Sequence, residues 1–236
     1  MASIAENIST VRTQITNAAR AAGRPETAVR LLAVSKTQTV ASVQEAYDAG
    51  QREFGENYVQ EALEKIAALN LPEIIWHFIG PIQSNKTAEI ATHFDWVQGV
   101  DRIKIANRLS AQRPAERGPL QVCVQVNLSL EDSKSGVALE DAASLCEHIA
   151  SLPGLCLRGL MAIPAPSTDP EQQRATFRPL ARLFQELQGR YPQMDTLSIG
   201  MSADFEAAIA EGSTLVRIGT ALFGARHPGP KPLGAK

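Results

Sequence analysis

The sequence has 236 residues, of which 44% are hydrophobic and 20% charged, and its formal net charge at pH 7 is -2. These fractions are typical of a soluble globular protein, and so small a net charge excludes the strongly basic surface that binds nucleic acid or anionic lipid. The N-terminal segment lacks the basic start and apolar core of a signal peptide, and no apolar stretch approaches the ~20 residues that span a bilayer. The sequence therefore predicts a cytoplasmic protein without nucleic-acid or membrane partners.

The cysteines and histidines do not indicate a disulfide framework or a metal site. Cys123, Cys146 and Cys156 form an odd set without CxxC spacing,. The four histidines show no metal-ligand spacing,. All three cysteines are predicted to be buried as small apolar residues.

After a leading helix, strand-like and helical segments alternate to the end of the chain. Residues 4–22 place Ile4, Ile8 and Val11 at helical spacing, and Gly23 and Pro25 end that helix,. Short β-type runs are predicted at residues 31–35, 52–55, 75–79, 95–98, 121–127, 156–161, 196–199 and 215–218,. Helices are predicted between them at 40–49, 57–68, 85–93, 102–111, 139–151, 171–189 and 203–211,. Because strands that alternate with helices pair in parallel, the pattern predicts an α/β fold, a (β/α)8 TIM barrel with an extra N-terminal helix.

The alternative fold is an open doubly wound sheet, but the GxGxxG fingerprint that would support it is missing after the first strand,. The proline-rich segments at 113–119 and 164–170 are short enough to be barrel loops,. Residues 1–226 are therefore predicted to form one barrel domain. Residues 227–236, HPGPKPLGAK, are predicted to be a disordered tail,.

Lys36 follows the first apolar run, LLAVS. In this fold the active site lies at the C-terminal ends of the strands. A lysine amine whose pKa is lowered by desolvation or a nearby cation can attack an aldehyde. A solvated lysine is the ordinary alternative, and Lys36 alone does not decide between them.

The seventh predicted strand leads into LSIGMSADFEAAI. Ser202 is predicted to be the N-cap of the next helix, with Asp204 and Glu206 in its first turn. A hydroxyl and free backbone amides at a helix N-terminus can bind an anion. The same residues also make a good helix start, and the two acids favour this second interpretation.

The eighth predicted strand carries Arg217 in an otherwise apolar run. By alternation Arg217 points opposite to Val216 and Ile218, toward the barrel mouth, unless it bridges to a carboxylate of the barrel. Gly219 and Thr220 open another helical turn. Strands one and eight become neighbours when the barrel closes. The pattern therefore predicts a ligand that carries a phosphate, held at strands seven and eight, and an aldehyde, held at strand one.

Seven segments distributed along nearly the whole chain carry a resemblance to a known family. They are LLAVSK, FGENYVQE, WHFIGPIQSNK, VNLSLEDSKSG, GLMAIP, LSIGMSADFEAAI and VRIGTALFGAR. Together they are similar to the pyridoxal phosphate homeostasis protein family. The resemblance implies a barrel similar to the N-terminal domain of alanine racemase, with pyridoxal 5'-phosphate held as an internal aldimine by Lys36.

The resemblance also implies which residues make the other cofactor contacts. It places Asn57 and Met201 beside the cofactor, Arg217 at the pyridine nitrogen, and Ser202, Gly219 and Thr220 at the phosphate. It implies neither a catalytic residue nor a metal ligand. His77 could line the mouth or be packed inside the barrel, and the sequence leaves both open.

An arginine at the pyridine nitrogen disfavours the protonated ring and so weakens carbanion chemistry. In alanine racemase a tyrosine from a separate C-terminal domain supplies a second acid/base, and this chain ends before any such domain. The resemblance therefore predicts a monomeric, non-enzymatic protein that carries and buffers pyridoxal phosphate, with PLP-dependent apoenzymes as partners. Its role would be vitamin B6 and amino-acid homeostasis. A PLP-dependent amino-acid racemase or lyase is the alternative.

Overall fold

The structure, a computed structural model, describes residues 2–129 and 135–224. Eight strands in these ranges form a closed barrel in which neighbouring strands are parallel. The strands are β1 (Arg30–Val34), β2 (Glu53–Glu56), β3 (Ile75–Phe78), β4 (Trp96–Val100), β5 (Leu120–Gln125), β6 (Leu155–Met161), β7 (Thr196–Ser198) and β8 (Leu215–Ile218). The predicted TIM barrel is confirmed. The first and last residues of every predicted strand lie within two residues of those observed.

Helices follow the strands and one helix precedes them, as the sequence predicts. They are α1 (Ile4–Ala21), α2 (Val40–Asp48), α3 (Val59–Ala68), α4 (Thr87–His93), α5 (Ile103–Gln112), α6 (Ala142–Ala150), α7 (Pro170–Arg190), α8 (Phe205–Ala210) and α9 (Thr220–Phe223). A capping box starts α1, because Ser3 and Glu6 exchange side-chain to backbone hydrogen bonds,. The buried face of α1 includes Ile8, Val11 and Ile15. The predicted tail at 227–236 lies outside the described residues.

The barrel wall separates two kinds of core. Outward-facing strand residues such as Phe54, Val97 and Val216 belong to the large apolar core that also contains the buried helix residues. A smaller cluster of Leu32 and Leu215 belongs to the opposite, inward-facing positions,. Buried polar side chains share that interior, so the barrel is filled by a mixture of apolar and hydrogen-bonding groups.

Pairing between β1 and β8 closes the barrel. Leu32 lies opposite Arg217, and Ala33 lies opposite Ile218. Since both strands run in the same direction, their C-terminal ends open at the same mouth. The predicted proximity of these two strand ends is confirmed.

One prediction about the cysteines is wrong. Cys123 and Cys146 are buried as predicted, but Cys156 is half-exposed. Cys156 is the second residue of β6, near the N-terminal end of the barrel, where less of the structure covers it. No helix among the described residues has the length and apolar character needed to cross a membrane.

Strands β6 and β7 approach so closely at Gly159 that a side chain there has no room. A Cβ on Gly159 would lie 1.6 Å from the backbone oxygen of Thr196. Gly159→Ala should therefore push the two strands apart and lower the free energy of unfolding by about 3 kcal/mol. Urea unfolding measures this change.

The matched control is Gly189, which is exposed on α7, where an added Cβ would meet no other atom within 4 Å. Gly189→Ala should raise the free energy of unfolding by about 0.5–1 kcal/mol, because alanine favours the helix. A Gly159→Ala protein with the wild-type urea midpoint would contradict the close approach.

Candidate functional site

A cavity of about 270 Å³ opens at the C-terminal mouth of the barrel. Its volume is near the lower end of ligand pockets, which hold roughly 300–1,000 Å³. All seven residues that the sequence selects line this one cavity: Lys36, Asn57, Met201, Ser202, Arg217, Gly219 and Thr220. The structure therefore brings the predicted residues together, while their contacts with a ligand stay a prediction.

The cavity also includes residues that the sequence did not indicate. Gln38, buried just after Lys36, and Ile79, at the end of the predicted third strand, both line it. Ile163 after β6 lines it as well and is 41% exposed. The sequence could have indicated Ile79 and Ile163 only by their positions just after strands. An apolar residue at such a position looks the same in the sequence whether it lines a cavity or packs inside the barrel.

Lys36 lies two residues after the end of β1 and is half-buried in the cavity wall. Its strand is held from both sides, by β2 and by β8. Lys36 is therefore not fully solvated, while its role in the site stays a prediction. Lys36 and Arg217 line the same cavity.

The turn after β7 differs from the prediction. Ser202 is not the N-cap, because α8 begins at Phe205 and Asp204 takes the N-cap position. The carboxylate of Asp204 accepts a 2.6 Å hydrogen bond from the Met201 N–H, which closes a turn before the helix starts. Gly200 enters this turn at φ +96°, where an added Cβ would collide with α8,. Ser202 thus lines the cavity from a turn instead of from a helix end.

Asp204 does not face the cavity as an opposing charge. Its Oδ1 is engaged with the Met201 backbone, and Asp204 is absent from the described residues that line the cavity. Burial raises the pKa of Asp204 above its ordinary value, although the Met201 N–H and Arg217 oppose this effect. The repulsion of an anion that the sequence suggested is correspondingly reduced.

Arg217 points into the barrel, as alternation predicts, and is only 3% exposed. Its Nη1 donates to the backbone oxygen and the hydroxyl of Ser198, at 2.6 and 2.7 Å, and its Nη2 donates to the Ala162 carbonyl at 2.8 Å. The alternative bridge to a barrel carboxylate is not what holds it. Burial lowers the pKa of Arg217 to about 10, so the guanidinium remains protonated at neutral pH.

A buried hydrogen-bond chain extends inward from Arg217. The Ser198 hydroxyl accepts from Arg217 and donates to Oε1 of Gln98 at 2.6 Å. The Gln98 amide then lies 3.0 Å from Nδ1 of His77. Arg217 can only donate, so the Ser198 hydroxyl accepts from it and donates to the Gln98 oxygen. The Gln98 NH2 group is then the donor toward His77, and Nδ1 of His77 is the acceptor. A neutral His77 therefore carries its proton on Nε2.

At the inner end of this hydrogen-bond chain, the carboxylate of Glu53 lies between His77 and Arg30. Nε2 of His77 lies 3.3 Å from Oε2 of Glu53, within ion-pair range but outside hydrogen-bond geometry. Arg30 donates to the same carboxylate at 3.0 Å, and the His77 ring stacks on Trp96 with centroids 5.1 Å apart. His77 is fully buried, so it is packed inside the barrel and does not line the mouth.

The ionisable groups of the cavity are few. Among the described lining residues only Lys36 and Arg217 are ionisable. Within residues 2–129 and 135–224, no three His, Cys, Asp or Glu side chains come together in a way that could hold a metal ion. The cavity therefore combines an amine and a guanidinium with hydroxyl and amide groups, a set suited to a small anionic ligand with a carbonyl.

Residues 3–227 match the family of the alanine racemase N-terminal domain. The pyridoxal phosphate homeostasis protein of Pseudomonas aeruginosa is 59% identical over 229 residues, which cover 97% of this chain and 98% of that protein. The Escherichia coli K12 protein of the same name is 54% identical, covering 96% of this chain and 98% of that protein. The structure of PipY from Synechococcus elongatus with PLP bound is 38% identical with a TM-score of 0.81, covering 94% of this chain and 100% of that one.

The burial of His77 predicts an acid-sensitive stability. Desolvation lowers its pKa below the ordinary 6.5, against the opposing effect of Glu53. Below pH 6.5 the unfolded chain takes up a proton at His77 while the folded protein keeps the ring neutral. The contribution of His77 to the free energy of unfolding is therefore complete above pH 6.5 and is lost as the pH falls below it,. The free energy of unfolding should fall by up to about 1.4 kcal/mol per pH unit between roughly pH 6.5 and 5.

Urea unfolding at a series of pH values measures this slope. His77→Gln should lose the component between roughly pH 6.5 and 5. Equal slopes in the wild type and His77→Gln would refute the buried neutral histidine.

Proposed function

The chain belongs to the pyridoxal phosphate homeostasis protein family, and from this premise we propose that it binds pyridoxal phosphate covalently through Lys36 and carries the cofactor instead of using it as an enzyme. The observation that supports the proposal most strongly is the meeting of all seven predicted contacts in one cavity. PipY, a structural relative, has PLP bound. The proposed contacts are those that the resemblance implies.

The residues of the cavity fit this cofactor. Oδ1 of Asn57 is buried without a hydrogen-bond partner among the described residues, although Asn57 lines the cavity. Since an unsatisfied buried amide oxygen is costly, a bound polar ligand or water is its natural partner. The two positive side chains, Lys36 and Arg217, suit an anionic phosphate ester, and the hydroxyls of Ser202 and Thr220 can donate to its oxygens,.

Bound pyridoxal phosphate supplies an aldehyde that condenses with a neutral amine, forming a C=N bond and releasing water. In the proposed site Lys36 presents that amine from the end of β1. Gly219 follows β8, the strand that neighbours β1, and Thr220 is the first residue of the short helix α9. The chain's contribution in this proposal is thus to place an amine after β1 and anion-binding groups after β7 and β8 at the same mouth.

Arg217 supports a carrier over an enzyme. The guanidinium stays protonated and is already bonded to Ser198 and Ala162. At the pyridine nitrogen it can only donate, so it favours the unprotonated ring, which is a weak electron sink. Racemisation also needs an acid/base on each face of the substrate, and the described lining residues offer Lys36 and Arg217 as their only ionisable groups.

In the proposed role a cytoplasmic, monomeric protein buffers a reactive aldehyde and delivers it to PLP-dependent apoenzymes. A covalent bond that water can reverse suits this role, because it sequesters the aldehyde without destroying it. Release would then supply vitamin B6 cofactor to amino-acid metabolism. The racemase or lyase alternative predicts turnover of amino acids, and that difference can be measured directly.

Covalent binding at Lys36 predicts a specific product. After incubation with pyridoxal phosphate, borohydride reduction and proteolysis, mass spectrometry should locate the cofactor on Lys36 in the wild type. The Lys36→Ala protein should have none at that position, and Lys104→Ala, at an exposed position on α5, should behave as the wild type. Peptide mapping identifies the modified residue, so capture by another lysine cannot be mistaken for Lys36. A wild-type adduct found mainly on a different lysine would disprove the assignment.

The carrier role predicts transfer without catalysis. The PLP-loaded protein, mixed with an apo-transaminase, should restore transaminase activity as its own bound cofactor declines one for one. An excess of phosphatase, which destroys free cofactor, separates transfer on contact from release into solution. A panel of L-amino acids should show no racemisation or cleavage by the loaded protein alone. Turnover of about 1 per second or faster would assign the enzyme alternative.

A further inference from the structure

The backbone on both sides of Lys36 is held by a buried cluster of side chains from β2 and α3. On the N-terminal side, Ser35 is fully buried and bonded at three atoms. Its N–H donates to the Gly55 carbonyl at 3.0 Å, and its hydroxyl donates to Oε1 of Glu56 at 2.6 Å. Its carbonyl oxygen accepts from Nζ of Lys65 at 2.7 Å.

On the C-terminal side, Thr37 adopts an unusual backbone conformation. Its φ is +62°, in the left-handed region that a β-branched residue rarely occupies,. Its N–H donates to Oε1 of Glu61 at 2.6 Å. A strained residue persists only where its surroundings hold it, and such positions cluster at functional sites. Here the strained residue is the immediate neighbour of Lys36.

The same two helix residues connect both sides. Lys65 and Glu61 are four residues apart on α3 and form an ion pair at 2.6 Å,. Nζ of Lys65 also lies 2.8 Å from Oε1 of Glu56, and the side chains of Lys65 and Glu56 are 3% and 0% exposed. Its cation is thus surrounded by two carboxylates and the Ser35 carbonyl. Loss of one partner would be costly, because it would leave a buried charge without full compensation.

We propose that Glu61 and Lys65 are positioning residues that aim the Lys36 amine into the cavity. Lys65 holds the carbonyl that precedes Lys36 and Glu61 holds the N–H that follows it, so together they determine the backbone dihedrals from which the side chain departs. Neither residue is among the described residues that line the cavity, and both act through the backbone of β1's extension. The inference rests on the proposed function, in which Lys36 forms the covalent bond.

The test compares two glutamates of the same helix. Glu61→Ala removes the acceptor of the Thr37 N–H, while Glu64→Ala changes an exposed glutamate of α3 and serves as the control. The rate of borohydride-trapped adduct formation at Lys36 is measured by peptide mapping, alongside the melting temperature. Glu61→Ala should slow capture by about tenfold or more, because orientation of the reacting groups is lost. Lys65→Met, which keeps an apolar stem, should slow capture in the same way.

Rescue distinguishes positioning from general destabilisation. Thr37→Gly removes the steric cost of a positive φ, so it should restore part of the rate in the Glu61→Ala background. A rate in Glu61→Ala equal to that of Glu64→Ala, or a slow rate that Thr37→Gly does not improve, would overturn the proposal. The wild type reports separately on the proposed function, since a wild type without an adduct at Lys36 would refute that function itself.

Discussion

Parallel pairing of β8 with β1 is the constraint on which the site depends. The chain positions of Lys36 and Arg217 are far apart, and the closed barrel makes their strands neighbours, with Leu32 opposite Arg217. Closure also leaves every strand paired on both sides, so the strand ends are held in place without a free edge,. Groups that project from the mouth can then keep a defined geometry, because they extend from a rigid wall.

Closure creates an interior that must accommodate a buried cation. Arg217 is almost fully buried, and a bare guanidinium there would be expensive,. The backbone oxygens of Ser198 and Ala162 compensate by accepting hydrogen bonds from it. The chain through Gln98 to His77 orients the Ser198 hydroxyl in turn. The polar interior is therefore what permits a positive charge at the base of the cavity.

The two sides of the cavity use different physical means. The Arg217 side is built from hydrogen bonds inside the barrel, whereas the Lys36 side is held from outside the wall by α3. Lys65 compensates the buried carboxylate of Glu56, the half-buried carboxylate of Glu61 and a backbone carbonyl at once. Burial still raises the pKa of Glu56 above its ordinary value, although Lys65 and Ser35 oppose the shift. Strain at Thr37 and charge in the cluster are thus stored next to the residue proposed to react.

Local patterns in the sequence determined the alternation of strands and helices and the inward direction of Arg217. They also placed Lys36 and Arg217 toward the C-terminal ends of their strands. Periodicity carries this information because it depends on residues a few positions apart. Two good capping residues, Ser202 and Asp204, compete within one turn, and the sequence pattern selected the wrong one. Only the tertiary structure decided that Ser198 meets Gln98, a hundred residues away, and that α3 holds the backbone beside Lys36. Those contacts depend on how helices and strands pack in three dimensions, and no local pattern specifies which distant polar groups will share a buried space.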